Sequence, residues 1–108
     1  MSKMATIQSM LEANPKDSFL RFALAKEYEK LGEDQKVKEI YQAILADDPD
    51  YVGTYYHLGK TLERLGEEAA AFKTYTDGMG VCKRNNEQHA RSELAGARLE
   101  LGDEEDFV

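Results

Sequence analysis

Residues 18–51 read SFLRFALAKEYEKLGEDQKVKEIYQAILADDPDY, and residues 52–85 read VGTYYHLGKTLERLGEEAAAFKTYTDGMGVCKRN. Laid over each other, these two 34-residue stretches agree at seven positions: Leu24/Leu58, Lys26/Lys60, Glu29/Glu63, Leu31/Leu65, Gly32/Gly66, Glu33/Glu67 and Tyr41/Tyr75. Other pairs are chemically close: Phe22/Tyr56, Ala25/Gly59, Tyr28/Leu62, Lys30/Arg64 and Val37/Ala71. Pro15 and Pro49 keep the same interval. A fixed period of this length is the mark of a stacked array, in which each unit buries its apolar face on a neighbour.

Inside each stretch the apolar residues recur at helical spacing. Leu24, Tyr28 and Leu31 stand at i, i+4 and i+7, and Leu58, Leu62 and Leu65 repeat them. Val37, Tyr41, Ile44 and Leu45 form a second stripe, echoed by Ala71, Tyr75 and Met79. Gly32 and Gly66 are placed to end the first helix of each pair, where a left-handed residue is needed. Asp17 and Asp50, just after the prolines, are placed to cap the helices that follow. The pattern predicts helices near 3–13, 17–31, 34–46, 50–65, 67–83 and 87–101. Gly78 and Gly80, with Lys83 where a closing proline would fall, predict a longer and kinked fifth helix. The acidic tail, 103–108, is expected to fray and stay solvated.

Working outward, residues 1–15 look like the second helix of a worn repeat, with Met4, Ile7, Met10 and Leu11 on its apolar side. Residues 87–101 look like a capping helix, with Leu94, Ala97 and Leu101 inward and Arg91, Glu93, Arg98 and Glu100 outward. Composition bounds the rest. Fourteen basic residues against 21 acidic ones leave a net charge of −7. That charge repels phosphate backbones and anionic lipid, so neither nucleic acid nor membrane is an expected partner. A lone Cys82 has no internal disulfide partner, which suits a reducing, cytoplasmic compartment. His57 and His89 are not at ligand spacing and no cysteine pair accompanies them, so no metal is expected. Cys82 reads as a structural thiol rather than a nucleophile. No cofactor motif and no catalytic constellation are present, and the expectation is a non-enzyme.

These residues resemble the tetratricopeptide repeat family. Residues 18–51 offer Leu24, Ala25, Tyr28, Gly32, Tyr41 and Pro49 at the family's positions, and residues 52–85 offer Tyr55, Leu58, Gly59, Leu62, Gly66, Ala71 and Tyr75. Gly59 opposite Ala71 is the pair expected to let two helix axes approach closely. The departures are Arg21 at a usual apolar position, Ile44 and Gly78 in place of alanine, and Lys83 in place of proline. The resemblance implies an all-α fold of tandem antiparallel helix–turn–helix repeats, a short right-handed α-solenoid, in one domain over residues 1–102 with the tail after it.

It also implies a concave groove lined by the first helices. The groove residues would be Phe22, Lys26, Lys30, Tyr56, His57, Lys60, Arg64 and Arg91. Lysine stripes with aromatic rims suit a partner peptide that carries carboxylates. The same lysines could instead pair with glutamates on their own helices. Some members of the family clamp acidic chaperone tails, but Phe22, Lys26 and His57 stand where that clamp needs lysine and asparagines, so that specificity does not carry over. The tail is itself a peptide of the right charge to enter a lysine groove. The leading expectation is a protein-interaction module or adaptor. The alternative is a homo-oligomeric assembly protein, a homodimer for example, that uses helix 3–13 or the convex face.

Overall fold

A computed structural model describes residues 2–107. Six α-helices follow one another: α1 (Lys3–Ala13), α2 (Ser18–Lys30), α3 (Asp34–Asp47), α4 (Gly53–Arg64), α5 (Glu68–Arg84) and α6 (Gln88–Leu101), with a short 3₁₀ turn at Glu104–Phe107. No strand occurs among the described residues. The chain parts into two compact units, one ending at Tyr51 and the other beginning at Val52, which is the border set by the sequence period.

The helix ends follow from single residues. Ser2 Oγ accepts from the Ala5 amide at 3.1 Å, and Asp17 Oδ1 accepts from the Leu20 amide at 2.9 Å, so α1 and α2 each begin on a side-chain cap. After α2 the chain reverses through Gly32 at φ 73°, where Glu33 N–H reaches Tyr28 O at 3.1 Å and Gly32 N–H reaches Glu29 O at 3.0 Å. This paired bonding satisfies two of the carbonyls that a helix end leaves open. Gly66 repeats it after α4, with Glu67 N–H on Leu62 O at 2.8 Å. The α5–α6 connection uses the same turn with asparagine in the left-handed position: Asn86 has φ 60°, and Glu87 N–H reaches Cys82 O at 2.8 Å.

In the first unit α1 and α3 both pack on α2. Its buried apolar side chains are Ile7, Leu20, Ala25, Val37, Tyr41 and Ile44. Arg21, the polar intruder at an apolar position, donates to Asp47 at 2.9 Å and to the Lys16 carbonyl at 3.1 Å. The hydrophobic position has become an ion pair that ties α2 to the end of α3.

In the second unit α4 and α6 both pack on α5 and also touch each other. Tyr55, Leu58, Leu62, Phe72, Tyr75, Val81, Cys82, Leu94 and Ala97 are buried there. Two glycines set the spacing. A Cβ on Gly59 would stand 2.1 Å from Tyr75 Cε1, and one on Gly78 would stand 2.6 Å from Tyr55 Cβ and 2.9 Å from Leu94 Cδ1. The close approach foreseen at Gly59 is thus made against the Tyr75 ring rather than against Ala71, which is itself fully buried.

Three local expectations are revised. The fourth helix begins at Gly53 rather than near Asp50, after a turn in which Tyr51 N–H bonds to Asp48 O at 3.1 Å. The fifth helix runs unbroken for 17 residues, because Gly78 serves packing rather than a break. The tail does not fray, because Asp103–Phe107 folds back onto α5 and α6. The Phe107 ring stacks on Phe72 with centroids 4.7 Å apart, and Glu104 pairs with Arg98 at 2.8 Å.

Candidate functional site

The repeat that places Leu58 and Leu62 in the core turns Tyr56 and Lys60 outward, one helical turn apart on α4. Both are half-buried. The Lys60 amine sits 5.7 Å over the Tyr56 ring and 3.8 Å from Glu63 Oε2. Glu63 also accepts a hydrogen bond from the Tyr75 hydroxyl. Burial, and then the Glu63 carboxylate, push the Tyr75 phenol far above its usual range, so it stays a donor at every physiological pH. That bond fixes Glu63, whose carboxylate in turn faces the lysine ammonium.

Across from this pair, α6 contributes Ser92, Glu93, Gly96, Ala97 and Glu100. Together the two helices enclose an open cleft of about 200 Å³. Gly96 leaves its floor bare, since nothing lies within 4 Å of where its Cβ would be. The cleft therefore carries one ammonium, one aromatic face and two carboxylates at its rim.

The other expected groove residues are placed differently. His57 meets the edge of the Tyr56 ring at 5.6 Å, and its carbonyl accepts from Thr61 Oγ1 at 2.8 Å. Arg64 is exposed and donates to Thr61 Oγ1 at 3.1 Å. Arg91 lies exposed on the first turns of α6, apart from the residues that line the cleft. In the first unit the Phe22 ring lies 5.5 Å from Tyr41 and 5.9 Å from Tyr51, so it is more a wall of the core than a rim. Lys26 pairs with Glu29 at 2.9 Å, and Lys30 pairs with Glu27 at 2.9 Å. Lys30, with Lys3 beyond it, draws the Glu27 pKa down.

The lysine stripe foreseen from the sequence is therefore balanced charge by charge along its own helices. Ser92, Glu93, Gly96 and Glu100 line the cleft but are not among the groove residues expected from the sequence. Ser92, Gly96 and Glu100 stand at i, i+4 and i+8 on α6, a small and polar run that reads equally well as a solvated face.

No three potential metal ligands cluster among the described residues. Cys82 is fully buried, and burial raises its thiol pKa, opposite to what a nucleophile needs. His89 is a surface residue of the first turn of α6, 3.6 Å from Glu93. No helix is long and apolar enough to cross a membrane among the described residues.

Known proteins share this arrangement of helices. No family model matches the sequence. A TPR repeat-containing protein of Pseudomonas aeruginosa is 26% identical over 88 residues, which span 82% of this chain and 84% of that one. The solution structure of a protein from Bordetella parapertussis superposes with a TM-score of 0.81 at 26% identity, over 94% of this chain and 88% of the other. The tetratricopeptide repeat domain protein of Salinibacter ruber is 41% identical. Its solution structure gives a TM-score of 0.77 over 81% of this chain and 88% of that one, and its crystal structure gives 0.75 over 79% and 96%. With the period, the paired turns, the glycine–tyrosine crossing and this degree of identity in hand, the chain belongs to the tetratricopeptide repeat family.

Proposed function

We propose that the chain is an adaptor whose second unit takes an extended segment of a partner protein into the cleft between α4 and α6. The family is in general a protein-interaction fold, and that much applies here directly. One observation carries the finer reading. Tyr56 and Lys60 occupy positions that the repeat keeps aromatic and cationic, yet the core does not consume them, and they face an opening that no side chain fills.

The cleft's chemistry favours a mixed ligand over a purely acidic one. Lys60 supplies a point charge for a carboxylate, and Tyr56 supplies contact area. Glu93 and Glu100 accept from backbone N–H groups or from a basic side chain. On the first unit, Phe22 and Lys26 are the repeat equivalents of Tyr56 and Lys60, and Lys30 is that of Arg64; with Phe22 turned toward Tyr41 and Tyr51, they add a further contact for the partner rather than a second cleft. His57, Arg64 and Arg91 are peripheral. A reducing, cytoplasmic setting suits the single buried thiol.

The test is a pull-down from host lysate with wild type and a Lys26→Ala/Lys60→Ala double variant of unchanged helicity. Partners captured by the wild type and lost from the variant support the reading. Equal capture by both moves the binding surface off these lysines.

A second reading is self-assembly through α1. Only Ile7 of that helix is buried, while Met10 is 51% exposed and Phe19 on the neighbouring helix 68%. Sedimentation that gives a dimer mass for the wild type and a monomer mass for Met10→Glu would favour it.

A further inference from the structure

The folded tail occupies a site made by α5 and α6, on a different pair of helices from the α4/α6 cleft. Arg98 is its centre. The guanidinium lies 4.5 Å over the face of Phe72, pairs with Glu104 at 2.8 Å, and has Met79 Sδ at 3.9 Å. The Phe107 ring stacks on Phe72 at 4.7 Å and 20°. The tail is pre-shaped for this: the Asp103 amide donates to Asp106 Oδ2 at 3.0 Å, and the Glu105 amide donates to Asp103 Oδ1 at 3.0 Å. Beside these contacts an apolar hollow of about 190 Å³ is left between Met79, Ala95, Leu99 and the tail's own Gly102 and Glu104. Leu99 at its edge is 76% exposed.

We propose that this α5/α6 face is a second binding site, selective for segments of another protein in which an acidic run precedes an aromatic residue, and that Asp103–Phe107 is its resident latch. Arg98 reads the carboxylate, Phe72 stacks with the aromatic ring, and the hollow beside Leu99 is room that the latch does not fill. The latch leaves by rotation at Gly102, whose φ of 156° is poorly suited to a bulky residue. A tethered ligand on a linker this short acts at an effective concentration on the order of millimolar. An identical tail from a second copy cannot outcompete it at ordinary protein concentrations. A segment that also fills the hollow can, which makes the latch a threshold rather than a block.

The probe is a fluorescein-labelled peptide of residues 102–108, titrated by anisotropy against wild type, Phe107→Ala, and Phe107→Ala/Arg98→Ala. Opening the latch with Phe107→Ala is expected to tighten peptide binding about tenfold over wild type, as removal of a tethered competitor does. The double variant, and a peptide with alanine for phenylalanine, are expected to lose that binding.

Failure of helical Phe107→Ala to bind up to millimolar peptide overturns the proposal, as does binding that survives Arg98→Ala or is equally tight in wild type. Self-association that rises with concentration and disappears in Phe107→Ala overturns the choice of partner in favour of tail exchange. Nuclear magnetic relaxation in the unaltered chain gives a check free of any variant: a Phe107 amide as rigid as α6 is expected, and one as mobile as an unfolded chain overturns the latch. Neither result bears on the Lys60 cleft, so the two readings fail separately.

Discussion

Gly59 and Gly96 differ by what surrounds them, and the difference predicts opposite signs. Alanine at Gly59 would drive a methyl group into the Tyr75 ring, and an overpacked core of this kind costs about 1–3 kcal/mol. Alanine at Gly96 meets nothing within 4 Å and gains about 1 kcal/mol of helix propensity. Urea denaturation of the two variants reads both, and Gly96→Ala should also narrow the α4/α6 cleft. Tyr75 sets the behaviour in alkali. Its folded pKa is raised by burial and by the bond to Glu63, and that of Tyr51 is raised by burial and by Asp17 and Asp48. Below the ordinary tyrosine value of about 10, both folded and unfolded chains keep these protons, so the contribution is fully present. Above it the unfolded chain binds fewer protons than the folded one, and stability falls as pH rises. Tyr75→Phe should flatten that fall in urea titrations between about pH 9 and 11, while costing about 1.5 kcal/mol at neutral pH for the lost bond to a carboxylate.

At the scale of the element, three helices end on one geometry, and only the third does so without glycine. Asn86 holds φ 60° where a side chain costs about 1–2 kcal/mol, a cost asparagine reduces by its local bonding. Asn86→Gly should raise the melting temperature slightly, and Asn86→Val should lower it by several degrees. This turn also shows where the sequence was legible. Gly32 and Gly66 announce their turns because glycine has few other uses at such a position. Asn86 hides among polar neighbours, and only Glu87, matching Glu33 and Glu67, hints at the shared pattern. Helix existence was readable throughout because every helix keeps an apolar face. The start of α4 was not, because Asp50 is a good cap by composition and nothing local shows that the chain turns once more first. The helices also differ in how firmly they are held. In α1 the one buried side chain is Ile7, so its amides should exchange with deuterium well before those of α5.

For the molecule as a whole, the core and the site were legible to different degrees. Core positions recur twice in register, and repetition separates them from chance. The site depends on which glutamate meets which lysine. The sequence leaves Lys60 equally able to face a partner or its own helix; in the fold it lies beside Glu63, which Tyr75 pins in reach, and at the same time lines the α4/α6 cleft. The tail was misread for a related reason: an acidic run looks solvated until an arginine with an aromatic platform is seen beneath it. The same contrast gives a stability test. Leu58→Ala, at a position 4% exposed, should cost about 2–5 kcal/mol out of a total of about 5–15, whereas Lys60→Ala should cost within about 0.5. Thermal melts of the pair separate a core residue from a surface one.

Cys82 offers a clock. It is the chain's single thiol, it lies fully buried, and its carbonyl closes the turn into α6. A disulfide reagent such as Ellman's can reach the sulfur only in molecules where that packing has come apart. The colour change would then count openings of the second unit one by one, in the unaltered protein and without any denaturant. A bound partner that holds the unit closed would slow the reaction, so ligand affinity could be read from the rate at which a hidden atom becomes visible.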